Sequence, residues 1–263
     1  MLFPFLLLSI ITTAAICGTS SIMWPDYLWA VPLMIIAFFV AWFLLYVLFL
    51  LIVSLCTDTK KEYDSRSKFY RGNIIIMAGI ILSFFRVKVK VKGAGLIPAD
   101  TRWLLVGNHR SMFDPIATLW ALRKHELSFV AKPSIFKIPI AKPFITRDFF
   151  LSIDRENNRE ALKTILKCAD FIKRDITSMG IYPEGTRSKD GRLLPFHAGS
   201  FKIAKLADCP VVVATIRYEK VFLWFKRVHL HTVDVMSEEI VKENNTSALA
   251  ERAEQAIRED LKS

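Results

Sequence analysis

Residues 103–115 read Trp-Leu-Leu-Val-Gly-Asn-His-Arg-Ser-Met-Phe-Asp-Pro. The run Trp103–Gly107 is apolar and short, as a buried strand is. Pro115 suits the first turn of a helix, where its missing N–H costs nothing. His109 therefore stands where a strand ends and a helix begins, the edge at which α/β proteins place their sites. An imidazole near its ordinary pKa can take a proton from an alcohol at neutral pH. Asp114, five residues on, can fold back across the turn, hold the tautomer and stabilise the imidazolium. No serine nucleophile is required if a substrate hydroxyl attacks. Taken alone, the heptad also fits a helix capped by Asp114 beside a structural histidine.

Outward from this unit, strand-like runs recur at Val87–Val91, Ser128–Ala131, Phe150–Ile153, Gly180–Tyr182, Val211–Ile216 and Val228–Val233. Helical patterns fall between several of them. In Asn157–Asp175 the residues Leu162, Ile165, Leu166, Ala169 and Ile172 keep helical spacing, with lysines and Arg159 on other faces. Gly199–Ala207 and Ser247–Lys262 also read as helices. Strands alternating with helices predict an α/β body with a mixed, largely parallel sheet flanked by helices.

The amino-terminal part is different. Residues 1–57 hold a single charged residue, Asp26, while 58–263 carry 36 basic and 24 acidic ones. Met1–Met23 and Tyr27–Thr57 each exceed the ~20 apolar residues a helix needs to cross a bilayer. Trp24, Pro25, Asp26 and Trp29 between them suit a turn at the headgroup layer. A membrane hairpin over 1–57 is expected, either spanning the bilayer or dipping into one leaflet. Lys60, Lys61, Arg66, Lys68 and Arg71 follow it, and cations next to a span favour the cytoplasmic side. Residues 58–86 are read as a basic linker with an interfacial helix over Ile74–Phe85, and 87–263 as the catalytic domain. In Arg86–Lys92 (RVKVKVK) valines alternate with lysines, a half-exposed strand whose lysines suit either water or anionic lipid heads.

The four cysteines, Cys17, Cys56, Cys168 and Cys209, form no C-x-x-C pair, so neither a disulfide framework nor a zinc cluster is indicated. The net charge of +11 invites a nucleic-acid partner. No nucleic-acid motif accompanies it, and anionic lipids, a phosphorylated substrate or an acidic carrier account for it more economically. His229 and His231 share one strand face but lack a third metal ligand. His125 is expected to be solvated, and His197 lies close enough to the next motif to enter its pocket.

That motif is Tyr182-Pro183-Glu184-Gly185-Thr186-Arg187, after the run Gly180–Tyr182. Glycine lets backbone approach a ligand closely. Arg187 offers a planar, permanently charged fork suited to phosphate. If the two strands are parallel neighbours, base and arginine reach one sheet edge. A proton acceptor beside a phosphate clamp, on a membrane-anchored body, suits acyl transfer to a phosphorylated lipid.

These residues resemble the 1-acyl-sn-glycerol-3-phosphate acyltransferase (lysophosphatidate acyltransferase) family. Asn108–Asp114 matches its N-H-x-x-x-x-D motif, and Tyr182–Arg187 matches F-P-E-G-T-R with Tyr in place of Phe. The two stand in order, about 70 residues apart. Phe149–Arg155 is similar to a G-x-x-F-I-x-R block, with Phe149 where a glycine is expected. Lys132, Pro195–Gly199 and Cys209–Ile216 match further positions, and the resemblance covers residues 85–220. It implies His109 as base and Asp114 as its orienting partner. It also implies substrate contacts from Lys132, Arg155, Glu184, Gly185, Thr186 and Arg187, with no metal and no redox cofactor. The implied partners are membrane lipid, lysophosphatidate, and acyl-CoA or acyl carrier protein as donor. The expected location is the cytoplasmic face of the cell membrane. Another lysophospholipid, glycerol-3-phosphate or an aminolipid as acceptor, or a lipid hydrolase, are the rival readings.

Overall fold

The structure is a computed structural model that describes residues 2–19, 29–154, 157–188, 192–222 and 225–262. Trp24, Pro25, Asp26 and Tyr27 of the expected hairpin turn, and Arg155, lie outside the described residues. The chain divides into two compact units, Met1–Asp58 and Thr59–Ser263.

The first unit is a pair of helices, α1 (Phe3–Thr19) and α2 (Ala30–Cys56). Phe5 sets its ring edge against Phe39 and Phe43 and also meets Tyr46. Trp42 Nε1 donates to Thr12 Oγ1 at 3.3 Å. Ser9 and Thr12 donate their hydroxyls to the carbonyls of Phe5 and Leu8 one turn back, which satisfies these polar groups within the helix. Large apolar side chains such as Phe3, Leu44 and Leu55 stay exposed along both helices. Such continuous apolar surface is foreign to a water-facing helix pair. Among the described residues, α2 is long and apolar enough to cross a bilayer. The described part of the first expected span, α1, is 17 residues long.

The second unit is built on a seven-stranded sheet. Its strands are β1 (Val87–Lys92), β2 (Leu104–Gly107), β3 (Leu127–Ala131), β4 (Leu151–Ser152), β5 (Ser178–Ile181), β6 (Val211–Phe222) and β7 (Phe225–Met236). The spatial order is β1-β7-β6-β2-β5-β3-β4. Only β6 and β7 pair antiparallel; every other neighbouring pair is parallel. All seven expected strands are present, and the sheet is mixed and largely parallel. β6 and β7 run well beyond their apolar cores, because a long antiparallel pair needs no crossover and can extend past the sheet.

Helices α3 (Lys68–Phe84), α4 (Asp114–Ala121) and α5 (Ala141–Arg147) group on one side. Helices α6 (Asn158–Lys173), α7 (Lys202–Ala207), α8 (Glu238–Glu243) and α9 (Thr246–Lys262) group on the other. The apolar stripe of α6 puts Cys168, Ala169, Phe171 and Ile172 into the core beside Leu104, Val106, Met179 and Val211 of the sheet. Each of the large ones, such as Phe171, Ile172 and Leu104, contributes about 1.5–3 kcal/mol. Asn157 caps α6 by accepting the N–H groups of Arg159 and Glu160. The helix over Ile74–Phe85 begins earlier than expected, at Lys68, and packs within the second unit by burying Ile74, Ala78 and Leu82.

Two of the cations read as flanking the membrane are buried instead. Arg66 Nε meets Asp148 Oδ1 at 2.7 Å, and Arg71 Nη1 meets Asp148 Oδ2 at 3.1 Å. Arg71 also donates to the carbonyls of Leu127 and His125, and Arg66 to Ser128 Oγ. Asp148 is fully buried. A buried carboxylate requires such partners, and sequence distance concealed them. Beside this cluster Arg147 lies over the Tyr63 ring at 3.5 Å. His125 is half-buried rather than solvated, with its ring edge toward Trp103 and its pKa lowered by burial.

Candidate active site

Parallel pairing of β2 with β5 sets Leu104 against Met179, Leu105 against Gly180 and Val106 against Ile181. Both motifs therefore leave the sheet at the same edge. Gly107 is required there by close approach, since a Cβ on it would lie 2.8 Å from the Ala214 carbonyl oxygen. Asn108 then straps the motif to β6. Its amide donates to Ile216 O at 3.0 Å and accepts Ile216 N–H at 2.7 Å.

His109 Nδ1 lies 2.8 Å from Asp114 Oδ2. The same oxygen accepts the N–H groups of Arg110 and Ser111, so the turn is wound around the carboxylate. The helix starts at Asp114 itself, one residue ahead of Pro115. Asp114 is completely buried, while the His109 side chain keeps 16% exposure. Nδ1 is committed to Asp114, and Nε2 has no protein partner among the described residues. The imidazole stacks on Tyr182 at 4.5 Å and 9°, and Tyr182 in turn stacks on Phe129. Burial, together with the Asp114 charge, pushes the Tyr182 phenol well up, so it stays protonated.

The second motif supports the first. Glu184 is buried, and its two carboxylate oxygens accept His109 N–H at 2.5 Å and Leu194 N–H at 3.0 Å. Burial raises its pKa, with both amide donors pulling the other way. Its carboxylate is thus occupied with backbone, fixing His109 rather than reaching outward. Gly185 takes the left-handed backbone, φ 70°, that closes the turn onto Tyr182 O. Ser188 N–H donates to His109 O at 3.0 Å. That bond brings Arg187, exposed and adjacent in the chain, to the edge His109 occupies. Thr186 is exposed beside it. Lys132, exposed, follows β3 at the same edge.

Tyr218 was not anticipated. From β6 its phenol donates to Asp114 Oδ1 at 2.5 Å. Burial and the Asp114 charge raise its pKa, which keeps it a donor. The only sequence signal is alternation along Val211–Ile216, which puts positions 212, 214, 216 and 218 on one face. His197 is exposed and contributes its backbone N–H to Pro183 O. His229 and His231 engage different carboxylates, Glu219 and Asp260. Cys168 and Cys209 are buried, and burial pushes the Cys209 thiol up to about 12.

Residues 88–217 match the Acyltransferase family. The match takes in the catalytic turn, β2, β5 and most of β6, just under half of the chain. Among similar proteins, a chloroplastic 1-acyl-sn-glycerol-3-phosphate acyltransferase of Brassica napus is 34% identical over 152 residues, covering 57% of this chain and 43% of the relative. The protein of that name from Haemophilus influenzae is 32% identical over 150 residues, covering 54% of this chain and 60% of the relative. The chain thus spans well under two thirds of the length of these curated relatives. A solved 1-acyl-sn-glycerophosphate acyltransferase, PlsC from Thermotoga maritima, superposes with a TM-score of 0.64 at 22% identity, over 83% of this chain and 89% of that one. The chain thus shares its fold with that protein, beyond the 88–217 segment.

Proposed function

We propose that this protein is a membrane-bound 1-acylglycerol-3-phosphate O-acyltransferase. It moves a fatty acyl group from an acyl thioester to the sn-2 hydroxyl of lysophosphatidate, giving phosphatidate for phospholipid synthesis. The observation that carries the reading is the buried Asp114 carboxylate on His109 Nδ1, with Nε2 open, at the sheet edge where Arg187 emerges. The names of the relatives support the acceptor.

In this mechanism Nε2 takes the hydroxyl proton as oxygen attacks the thioester carbonyl carbon. Asp114 holds the ring and balances the imidazolium. The C–S bond breaks, and the imidazolium returns its proton to the thiolate. Arg187, with Lys132 and Arg155, holds the acceptor phosphate by charge-assisted hydrogen bonds. Glu184, Gly185 and Thr186 set the shape of that turn. The apolar helix pair anchors the chain, with the catalytic unit on the cytoplasmic face of the cell membrane.

The test supplies labelled lysophosphatidate with acyl-CoA or acyl carrier protein to the full-length protein and identifies the lipid product. Phosphatidate is expected. Free fatty acid formed without acceptor would establish the hydrolase reading instead, and preference for glycerol-3-phosphate or an aminolipid would move the acceptor. His109→Ala should lower kcat by roughly 10²–10⁴ without changing membrane insertion.

A further inference from the structure

Lys220 of β6 and Lys226 of β7 are directly opposed across the antiparallel pair. Both are exposed, and neither forms an ion pair among the described residues. Like charges directly opposite destabilise a sheet unless an anion sits between them. Lys226 also lines a cleft of about 280 Å³ that runs back to the catalytic turn. Arg110, Ser111, Ser188 and Tyr218 supply hydrogen-bonding groups along it, and Phe113 gives it an apolar wall. Arg110, too, has no ion-pair partner among the described residues. The cleft therefore meets the His109–Asp114 turn at one end and Lys226 at the other, where Lys220 stands opposite Lys226 across the strand pair.

The cleft lies on the β6–β7 side of β2. The candidate acceptor cations Arg187 and Lys132 follow β5 and β3, on the opposite side. The proposed reaction brings two anions to one imidazole, a phosphorylated acceptor and a phosphorylated donor. From these observations, and resting on the acyl-transfer reading, we infer that this cleft seats the pantetheine arm of the acyl donor, with Lys220 and Lys226 holding its phosphate. The arm separates the thioester from its nearest phosphate, so the phosphate belongs at the far end of the cleft. The amides of the arm match the polar lining between, and the acceptor phosphate, a few bonds from the attacking hydroxyl, belongs on the Arg187 side.

The experiment uses the full-length protein and K220Q, K226Q and the double variant. Both changes lie on exposed strand positions. The double variant should raise the KM for acyl-CoA roughly tenfold, the loss of about one charge-assisted hydrogen bond, and leave the KM for lysophosphatidate unchanged. An acyl-pantetheine lacking phosphate should be used equally by wild type and variant. Acyl-CoA and acyl carrier protein form two donor arms, and the donor whose KM rises is the one the subsite serves. Equilibrium binding of coenzyme A alone separates this inference from the proposed activity. Weakened binding in the variants without acyl transfer by wild type would keep the subsite and remove the transferase reading. Undiminished donor binding and KM for both donors, or a raised KM for lysophosphatidate, would overturn the subsite.

Discussion

The phenol of Tyr218 donates to Asp114 Oδ1, the carboxylate oxygen that His109 leaves unused. A residue 104 positions beyond Asp114 thus completes a Tyr–Asp–His chain, in which the phenol withdraws charge from the carboxylate that faces the imidazole. Tyr218→Phe removes the donor and keeps the ring. The carboxylate then holds the imidazolium more strongly. The acidic limb of kcat/KM against pH should move to higher pH, with thermal stability little changed. A profile superimposable on wild type would show that the phenol only fills space.

Glu184 joins the two motifs through backbone. Glu184→Gln leaves one acceptor oxygen for two N–H donors and turns an NH₂ toward the other. The orphaned donor should cost about 1–3 kcal/mol. Because one donor is His109 N–H, kcat should fall more than KM rises. Denaturant titration and steady-state kinetics on the same preparation measure both.

Asp148 neutralises two buried guanidiniums. Asp148→Asn leaves both charges without their carboxylate, a loss of about 3–5 kcal/mol. The cluster lies at the β3 start, away from the catalytic edge. Enzyme that remains folded should keep its kcat, which thermal denaturation and activity at low temperature together report.

Phe149 has a left-handed backbone, φ 62°, at the place where the resemblance leads one to expect glycine. Its ring is buried and meets Phe171 edge-on at 5.1 Å. The departure therefore concerns backbone strain and core packing, not a side chain pointed at substrate. Removing the ring should cost about 3–5 kcal/mol, while glycine recovers ~1 kcal/mol of backbone strain. Phe149→Gly should accordingly be less damaging than Phe149→Ala, the reverse of the usual order. Equal midpoints in urea would contradict a strained backbone at this position.

The seven strands were legible because short apolar runs between turn residues have few other uses. The helix α6 was legible from its spacing, and the His109–Asp114 contact from five residues of chain. Strand order was not legible, since nothing in Ser178–Ile181 says that it pairs with Leu104–Gly107 rather than with Leu151–Ser152. The Arg66–Asp148 contact spans 82 residues and read instead as membrane-flanking charge. The short helices α5 and α8 carried too few turns for a periodic signal.

The amino-acid sequence by itself determined which groups can do chemistry, and it determined the local strand–turn–helix that sets an imidazole beside a carboxylate, because a five-residue turn has few conformations. Tertiary structure alone decided that Glu184, Ser188 and Tyr218 converge on that turn. Those contacts follow from the register of three strands, and register is settled by the burial of the whole sheet rather than by any residue near the site.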